Sequence, residues 1–346
     1  MNTELNKAEH KNNIIDFKHY QSAHCENGVA SNLLKHYGNH LSEPMIFGIG
    51  SGLFFSYMPF IKLNNLPVIS FRPWPGLIFK RVTKRLDIKI HRQKFNSPHE
   101  SMDILDKTLE RGIPVGCLVG VYHLTYFPTP YRFHFNAHNI IVYGKSNNHY
   151  LISDPILEKP VSLSNDELMR VRFAKGTYPP KGRMYYIKSV PENHDIKKAI
   201  VSGIKQTCKD MLTIPIPLFG VKGIRYLANR IKKWPDKLGK KKASQYLGQV
   251  IRMLEEIGTG GAGFRFIYAA FLQESAVILN QDWLNDISEQ MTEAGDKWRE
   301  FAIISGRIIK NRAGEKESYE NAANILLELA DLEEKIFTRL KKIKID

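Results

Sequence analysis

Cysteine is scarce in this chain of 346 residues, which contains only Cys25, Cys117 and Cys208. A set that is both sparse and odd in number argues against the disulfide framework of small secreted domains. It favours a reducing compartment, and we take the cytoplasm as the expected location.

Long apolar runs are also lacking. No run approaches the roughly 18 residues that a membrane-spanning helix needs, so no transmembrane segment is expected. The first residues, MNTELNKAEHKNNIIDF, have acidic and amide side chains and no apolar centre, which predicts no signal peptide. Internal repeats and low-complexity tracts are absent from the sequence as well.

Acidic residues are in short supply relative to basic ones, 35 against 50, and the net charge is +15. A basic surface attracts nucleic acid, an anionic membrane or an acidic protein. The basic residues concentrate in segments 80–94, 225–242 and 339–344. No recognised nucleic-acid-binding module accompanies them, so nucleic acid ranks below an acidic partner protein.

The two halves of the chain have different patterns. Up to about residue 190, short runs rich in Val, Ile and Tyr alternate with turn signals, as in 113–127 and 138–155. Segment 97–112 predicts a helix between Ser97 and Gly112. After residue 192 the apolar spacing is helical almost throughout. We therefore expect an α+β domain over 1–190 and an all-helical domain over 191–346.

The stretch QSAHCENGVASNLLKHYG places a cysteine where a helix begins. Val29, Leu33 and Tyr37 are spaced four apart, and Gly38 is a suitable stop. Cys25 would lie in the first turn, where unpaired N–H groups and the helix dipole favour a thiolate. This is the position of a nucleophile. An inert, half-buried thiol is the simpler alternative.

The base and its orienting group are expected in FNAHNIIVYGKSNNHYLISDP. A hairpin that pivots near Ser146 would place His138 opposite Asp154, with Cβ atoms roughly 5 Å apart. Asp154 could then accept from one ring nitrogen and leave the other facing a thiolate. A pivot displaced by one residue would weaken this pairing, and a bulge could restore it.

Each member of this set has an alternative reading. His138 could be a strand histidine with a satisfied hydrogen bond, and Asp154 could simply end a strand. His134 is the second choice as base, and the H-x3-H spacing of the two histidines is a weak zinc signal on a strand. Cys117 lies in an apolar strand and is expected in the core. Cys208 has basic neighbours but no visible partner.

Two glycine-rich stretches could be mistaken for nucleotide-binding loops. FGIGSGLFFSY, which contains Gly50, lacks the strand, helix and later acidic residue that such a loop needs. Close backbone packing is the expected reason for its glycines. GTGGAG at 258–263 follows a helical pattern, which favours a sharp turn between helices or, alternatively, the lining of an acceptor pocket.

Several segments together resemble a known family. HCENGVASNLLKHYG, IFGIGSGLFFSYM, IPVGCLVGVYHLTYF and FHFNAHNIIVYG…YLISDP look like the N-terminal domain of butirosin biosynthesis protein H. LEEIGTGGAGFRFIYAAFLQESA looks like the helical domain that follows it. The resemblance covers nearly the whole chain, and the segments occur in family order.

The resemblance implies a papain-like fold and an acyltransferase of secondary-metabolite biosynthesis. The acyl group would move from an acyl carrier protein thioester to an acceptor amine, and a hydroxyl is kept as an alternative acceptor. Cys25 would be acylated, His138 would be the base and Asp154 would orient it. The family's aminoglycoside acceptor does not transfer to this chain. No cofactor is expected beyond the carrier's phosphopantetheine arm.

Further residues complete this expectation. Gln21, Gly50 and Tyr122 are candidates for oxyanion or substrate binding, together with N–H groups at the helix start. The helical domain is expected to serve as a lid and acceptor site, and a homodimer through it is left open. The alternatives are a cysteine hydrolase with the same triad (an amidase, peptidase or thioesterase) and a non-catalytic carrier-binding protein.

Overall fold

The computed structural model describes residues 13–63, 65–314 and 317–344. Its elements up to residue 190 are β1 (Asn13–Ile14), α1 (Cys25–His36), α2 (Glu43–Ile49), β2 (Ser56–Leu63), β3 (Leu66–Ser70), α3 (Leu77–Arg85), β4 (Lys89–Gln93), α4 (Pro98–Glu110), β5 (Val115–Val119), β6 (His138–Ser146), β7 (His149–Ser153), β8 (Val161–Ser164), α5 (Asn165–Arg172) and β9 (Met184–Ser189). The remaining elements are α6 (Ile196–Leu212), α7 (Gly220–Ile231), α8 (Trp234–Leu238), α9 (Lys240–Ile251), α10 (Arg265–Leu279), α11 (Trp283–Ile309) and α12 (Tyr319–Leu340).

These elements form two compact units. The first comprises residues 1–41 and 88–190, and the second comprises residues 42–87 and 191–346. The structure therefore differs from the expected division, because segment 42–87 belongs to the second unit rather than the first. The second unit is also not entirely helical, since β2 and β3 pair as an antiparallel hairpin within it.

The first unit is built on a mixed-order antiparallel sheet. Its strands follow the order β4-β9-β5-β6-β7-β8, and β1 pairs with the end of β6. The helix predicted over 97–112 is present as α4: the Ser97 hydroxyl accepts from the Glu100 N–H at 3.3 Å, and Gly112 adopts a φ of +72°. Met102, Leu105 and Leu109 of α4 are buried against the sheet. This confirms the α+β class.

The second unit is held by packed helices and one buried ion pair. Arg265 and Glu333 are both inaccessible to solvent, and Arg265 donates to the two carboxylate oxygens of Glu333 from Nε and Nη2, each at 2.9 Å. Trp298 Nε1 adds a third donor to Glu333 Oε1 at 2.8 Å. Arg265 Nη1 donates to the carbonyl of Gly263 at 2.8 Å. The pair is thus almost fully satisfied, as a buried charge requires.

The second glycine-rich stretch connects α9 to α10. A π-helical turn at Arg252–Glu256 follows α9, and Gly258, Gly260, Gly261 and Gly263 all have positive φ. This is the sharp helix–helix turn that its sequence favours. Among the described residues, the segment Ala262–Leu279 meets a length and composition test for crossing a membrane, but 67% of it is buried within the protein. A buried core helix passes the same test.

Candidate active site

Cys25 lies at the first residue of α1, as its sequence predicts. His24 precedes it in an extended conformation, and α1 runs to His36, after which Gly38 adopts a φ of +80°. The thiol is largely buried, with 7% of the residue exposed. The helix packs against β6 and β9, which brings its first turn to the sheet that carries His138.

The hairpin of β6 and β7 turns between Asn147 and Asn148, later in the chain than the predicted pivot near Ser146. Ser146 pairs with His149, and Asn147 and Asn148 form the two-residue loop with φ values of +54° and +47°. A loop with two positive φ values is a type I′ turn, which asparagine tolerates and which matches the twist of the strands. The predicted pivot near Ser146 was therefore wrong.

A bulge in β6 changes the register again. The pairing shifts between Val142 and Gly144, and Ile141 then faces Ser153. Continuing by one residue places Asp154 opposite Ile140 rather than His138. His138 and Ile140 are two residues apart and lie on the same face of the strand, so His138 is a diagonal neighbour of Asp154. The two long side chains bridge that diagonal.

His138 and Asp154 are in direct contact. The His138 Nε2 atom lies 2.7 Å from Asp154 Oδ2, and both side chains are almost completely buried. An ionised carboxylate only accepts, so Nε2 carries a proton and donates it. Nδ1 is then the nitrogen left for Cys25, whose side chain forms a hydrogen bond with His138. The geometry brings together the three residues predicted as catalytic.

The charges around His138 favour its protonated form. Burial by itself would lower the pKa of His138. The charges of Asp154 and Cys25, and the hydrogen bonds to both, outweigh burial and raise the pKa from 6.5 to about 10. An imidazolium between a carboxylate and a sulfur stabilises that sulfur as a thiolate. The site is therefore arranged for a thiolate–imidazolium pair.

The segment around Asp154 is tied to the chain that precedes α1. The His19 ring contacts Ser153 Oγ at 2.7 Å through Nδ1 and the Leu157 carbonyl at 3.0 Å through Nε2. The Ser22 N–H donates to the Pro155 carbonyl at 2.6 Å. Asp154 Oδ1 accepts from the Ile156 N–H at 3.3 Å. These bonds hold the carboxylate and the nucleophile helix in one local frame.

Comparison with known proteins agrees with this arrangement. A family model described as "Butirosin biosynthesis protein H, N-terminal" matches residues 24–155, and a domain of unknown function (DUF4872) matches residues 166–340, about half of the chain. The chain belongs to the butirosin biosynthesis protein H-like family. The first match contains Cys25, His138 and Asp154, so all three residues of the candidate site lie in the segment that defines this family's N-terminal domain.

Other comparisons add less. A solved structure described as a C39-like peptidase from Bacillus anthracis matches with a TM-score of 0.36 and 13% sequence identity. The match covers 51% of this butirosin biosynthesis protein H-like chain and 98% of the peptidase chain. A likeness at that level carries no conclusion for this chain. A search of the curated proteins finds no match.

The other residues predicted for the site are more scattered. Gln21 is exposed, four residues before Cys25, and its role as an oxyanion donor stays a prediction. Gly50 belongs to the second unit and ends α2, where a Cβ would lie 2.4 Å from Ile78 Cγ2. Close packing, the expected reason for the glycines of this stretch, accounts for Gly50, and its role in substrate binding stays a prediction.

Tyr122 and His134 contact each other on the surface. Their rings stack with centroids 4.1 Å apart, and Tyr122 is 45% exposed. Because His134 faces Tyr122 while His138 faces Asp154, the structure favours His138 as the base. The two histidines of the H-x3-H spacing thus point to different partners. Among the described residues, no group of three His, Cys, Asp or Glu side chains is placed to hold a metal ion.

Two polar groups of this butirosin biosynthesis protein H-like site were missed by sequence reasoning. Tyr126, from the loop between β5 and β6, donates its hydroxyl to Asp154 Oδ2 at 2.8 Å. Glu26, next to Cys25, is buried, and its charge acts on Tyr185, whose hydroxyl donates to Asn139 Oδ1 at 2.8 Å. Burial first, and then the charges of Glu26 and Cys25, raise the pKa of Tyr185 well above its usual range.

Proposed function

We propose that the chain is a cysteine-dependent acyltransferase. It moves an acyl group from an acyl carrier protein thioester, through an acyl-enzyme on Cys25, to an acceptor amine or hydroxyl. The observation that carries the proposal is the position of His138, which bonds Asp154 through Nε2 and has Nδ1 left for the Cys25 thiol. The match of residues 24–155 to the butirosin biosynthesis protein H family supports acyl transfer over other thiol chemistry, because the resemblance to that family implies an acyltransferase.

The first half-reaction consumes the thiolate. The sulfur of Cys25 attacks the thioester carbonyl carbon, and a new C–S bond forms while the bond to the carrier's sulfur breaks. His138 gives its Nδ1 proton to the departing thiol of the phosphopantetheine arm. Backbone N–H groups at the start of α1 are suitable donors to the oxygen that becomes negative in the tetrahedral intermediate.

The second half-reaction regenerates the site. The acceptor's nitrogen or oxygen attacks the acyl carbon, its proton passes to Nδ1 of His138, and the bond to Cys25 breaks. Asp154 stabilises the imidazolium at both stages without taking the proton itself. The acyl group arrives on the carrier, so the chemistry requires no cofactor bound to this chain, and we place the reaction in the cytoplasm.

The test is the mass of the intact protein after mixing with a panel of acyl carrier thioesters. Wild type should gain the mass of the acyl group, and Cys25→Ala should gain nothing. Cys208→Ala is the matched control, because Cys208 is a buried cysteine of the other unit, and it should label like wild type. Absence of labelling in a protein whose Cys25 still reacts with iodoacetamide would refute the carrier-dependent function.

A second stage identifies the acceptor. Amines and alcohols are added to the isolated acyl-enzyme, and loss of the acyl mass is followed together with formation of amide or ester. Discharge in buffer alone, at the same rate with and without acceptors, would assign the chain as a thioesterase instead.

A further inference from the structure

One oxygen of Asp154 receives two hydrogen bonds. His138 Nε2 lies 2.7 Å from Oδ2, and the Tyr126 hydroxyl lies 2.8 Å from the same atom. Within the described part of the chain, the other oxygen, Oδ1, accepts a single, longer bond of 3.3 Å from the Ile156 N–H. Tyr126 and His138 therefore both bond Asp154 Oδ2, the atom that orients the base. The acyl-transfer steps assign no role to Tyr126.

Tyr126 is held in place from both sides. Arg132 donates to the carbonyls of Thr125 and Phe127, the residues that flank Tyr126, at 2.6 Å and 2.7 Å. The Phe127 ring contacts the His138 ring edge-on, with centroids 5.9 Å apart. Because Arg132 fixes the backbone on both sides of Tyr126, the Tyr126 hydroxyl has a defined position. The conformation of the loop therefore determines its hydrogen bond to Asp154.

The hydroxyl stays a donor over the whole working range of pH. Burial raises the pKa of Tyr126 well above its usual range, and the charge of Asp154, the hydrogen bond to it and the charge of Cys25 add to this. Deprotonation of Tyr126 would leave a phenolate and the Asp154 carboxylate in contact, two negative groups with no proton between them. Tyr126 is thus a permanent neutral donor to the carboxylate, within electrostatic reach of the nucleophile.

We propose that Tyr126 is a positioning residue that fixes the Asp154 carboxylate and takes up part of its negative charge, which limits how tightly Asp154 holds the His138 imidazolium. The proposal rests on the proposed function only in assigning Asp154 and His138 a role as orienter and base. The identity of the acyl donor and acceptor does not enter it.

The physical argument concerns a base that must release its proton as well as take it. His138 is protonated by the thiol and later must return that proton to a leaving sulfur. A carboxylate with a single strong donor holds the imidazolium most tightly and slows this return. A second donor on the same oxygen weakens the bond to His138, because the negative charge of that oxygen is divided between two hydrogens.

The experiment compares the full-length wild type with Tyr126→Phe. The readout is the proton resonance of His138 Nε2–H, which lies far downfield when it donates to a carboxylate, together with a titration of the His138 ring in histidine-labelled protein. His138→Gln assigns the resonance by abolishing it, and Asp154→Asn confirms the assignment by moving it upfield, because a neutral amide oxygen is a weaker acceptor than a carboxylate. In Tyr126→Phe the resonance should move further downfield, and the His138 pKa should rise by about one unit, a tenfold change in proton affinity.

Tyr150→Phe is the matched control. Tyr150 donates its hydroxyl to a different carboxylate, Asp106 Oδ1, at 2.6 Å in the same unit. The two variants lose the same kind of bond, so both should lower the melting temperature. Only Tyr126→Phe should move the His138 resonance. A fluorinated tyrosine at position 126, which is a stronger donor, should move the resonance in the opposite direction.

Three outcomes overturn the proposal: an unchanged resonance in Tyr126→Phe, an upfield shift, or an equal shift in Tyr150→Phe. None of these readouts uses an acyl donor. Failure of the carrier thioesters to label Cys25 therefore leaves this result standing, and failure of the resonance to move leaves the labelling result standing.

Discussion

Gly28 of α1 faces Pro155 so closely that a Cβ on Gly28 would lie 2.5 Å from the Cβ of that proline. The same Cβ would lie 2.7 Å from the side chain of Ser22. The nucleophile helix thus meets the residue directly after Asp154 without room for a methyl group. The distance between Cys25 and the His138–Asp154 pair depends on this contact.

Gly28→Ala is therefore expected to separate the two parts of the site. Overpacking of this kind costs about 1–3 kcal/mol of the free energy of unfolding. The rate of Cys25 alkylation should fall as well, because the helix must shift away from Pro155. Thermal unfolding and alkylation kinetics measure the two effects. Gly306→Ala, in a helix position with nothing within 4 Å of the added Cβ, should not destabilise the protein. Equal behaviour of the two variants would contradict this reading.

Asp154→Asn should leave the site assembled but lower its activity. The amide still contacts His138, yet it supplies no charge to the imidazolium, so the thiolate–imidazolium pair loses its main support. We expect the acyl-labelling rate to fall by about a hundredfold or more, the scale of a general acid–base contribution. A time course of acyl labelling, quenched at intervals and read by intact-protein mass spectrometry, gives the rate. An unchanged rate would show that Asp154 has no orienting role.

The stability contributed by His138 should depend on pH with a definite sign. The pKa of this residue is raised from 6.5 to about 10 on folding, so its contribution is complete below pH 6.5 and is lost as pH rises through 10. The difference in melting temperature between wild type and His138→Gln should therefore shrink between these values. Thermal scans at a series of pH values test this, and a difference that grows toward pH 10 would reverse the sign of the assigned shift.

The three thiols should react with iodoacetamide in a fixed order. Burial raises the pKa of the Cys117 thiol, and burial likewise raises that of Cys208 to about 12. Cys25 is instead bonded to a histidine that favours its thiolate. Peptide mass spectrometry of the native protein should show modification of Cys25 first, and all three should react in denaturant. Early modification of Cys117 or Cys208 would argue against a thiolate at Cys25.

The buried ion pair of the second unit should be costly to break. Glu333→Gln leaves Arg265 charged and without a full counter-ion, which destabilises a buried site by about 3–5 kcal/mol. Glu334→Gln is the control, because Glu334 pairs with Arg225 at the surface, where such pairs contribute about 0–1 kcal/mol. Chemical denaturation measures both. Similar losses in the two variants would mean that Arg265 reaches solvent.

Local patterns predicted the elements well. The start of α1 at Cys25 and the capped helix α4 follow from apolar spacing and capping residues, both of which act within a few positions of the chain. The sequence predicts the contact between His138 and Asp154 from a strand register that is wrong by two residues. The contact forms nevertheless, because a displacement of two residues along a strand keeps a side chain on the same face.

Other features depended on contacts that no local pattern encodes. Tyr126 lies 28 residues before Asp154 in a loop, and the only sign of its role is the tertiary position of its hydroxyl. Gly50 has the glycine spacing of a functional loop, but its reason is the side chain of Ile78. The Asn147–Asn148 turn is the exception, since two residues that tolerate positive φ would have located the pivot correctly.

Segment 42–87 interrupts the unit that carries Cys25, His138 and Asp154, and this has a consequence during synthesis on the ribosome. Once residue 190 has emerged, both parts of that unit are available and its sheet can close. Helices α2 and α3 have emerged by then, yet the later helices of their own unit, α6 and α10 among them, have not been made. The unit that carries Cys25 can therefore fold first, while the inserted segment of 46 residues still lacks the later helices that it packs with in its own unit. Nascent chains stalled between residue 190 and the end of α12 would expose that insertion to chaperones.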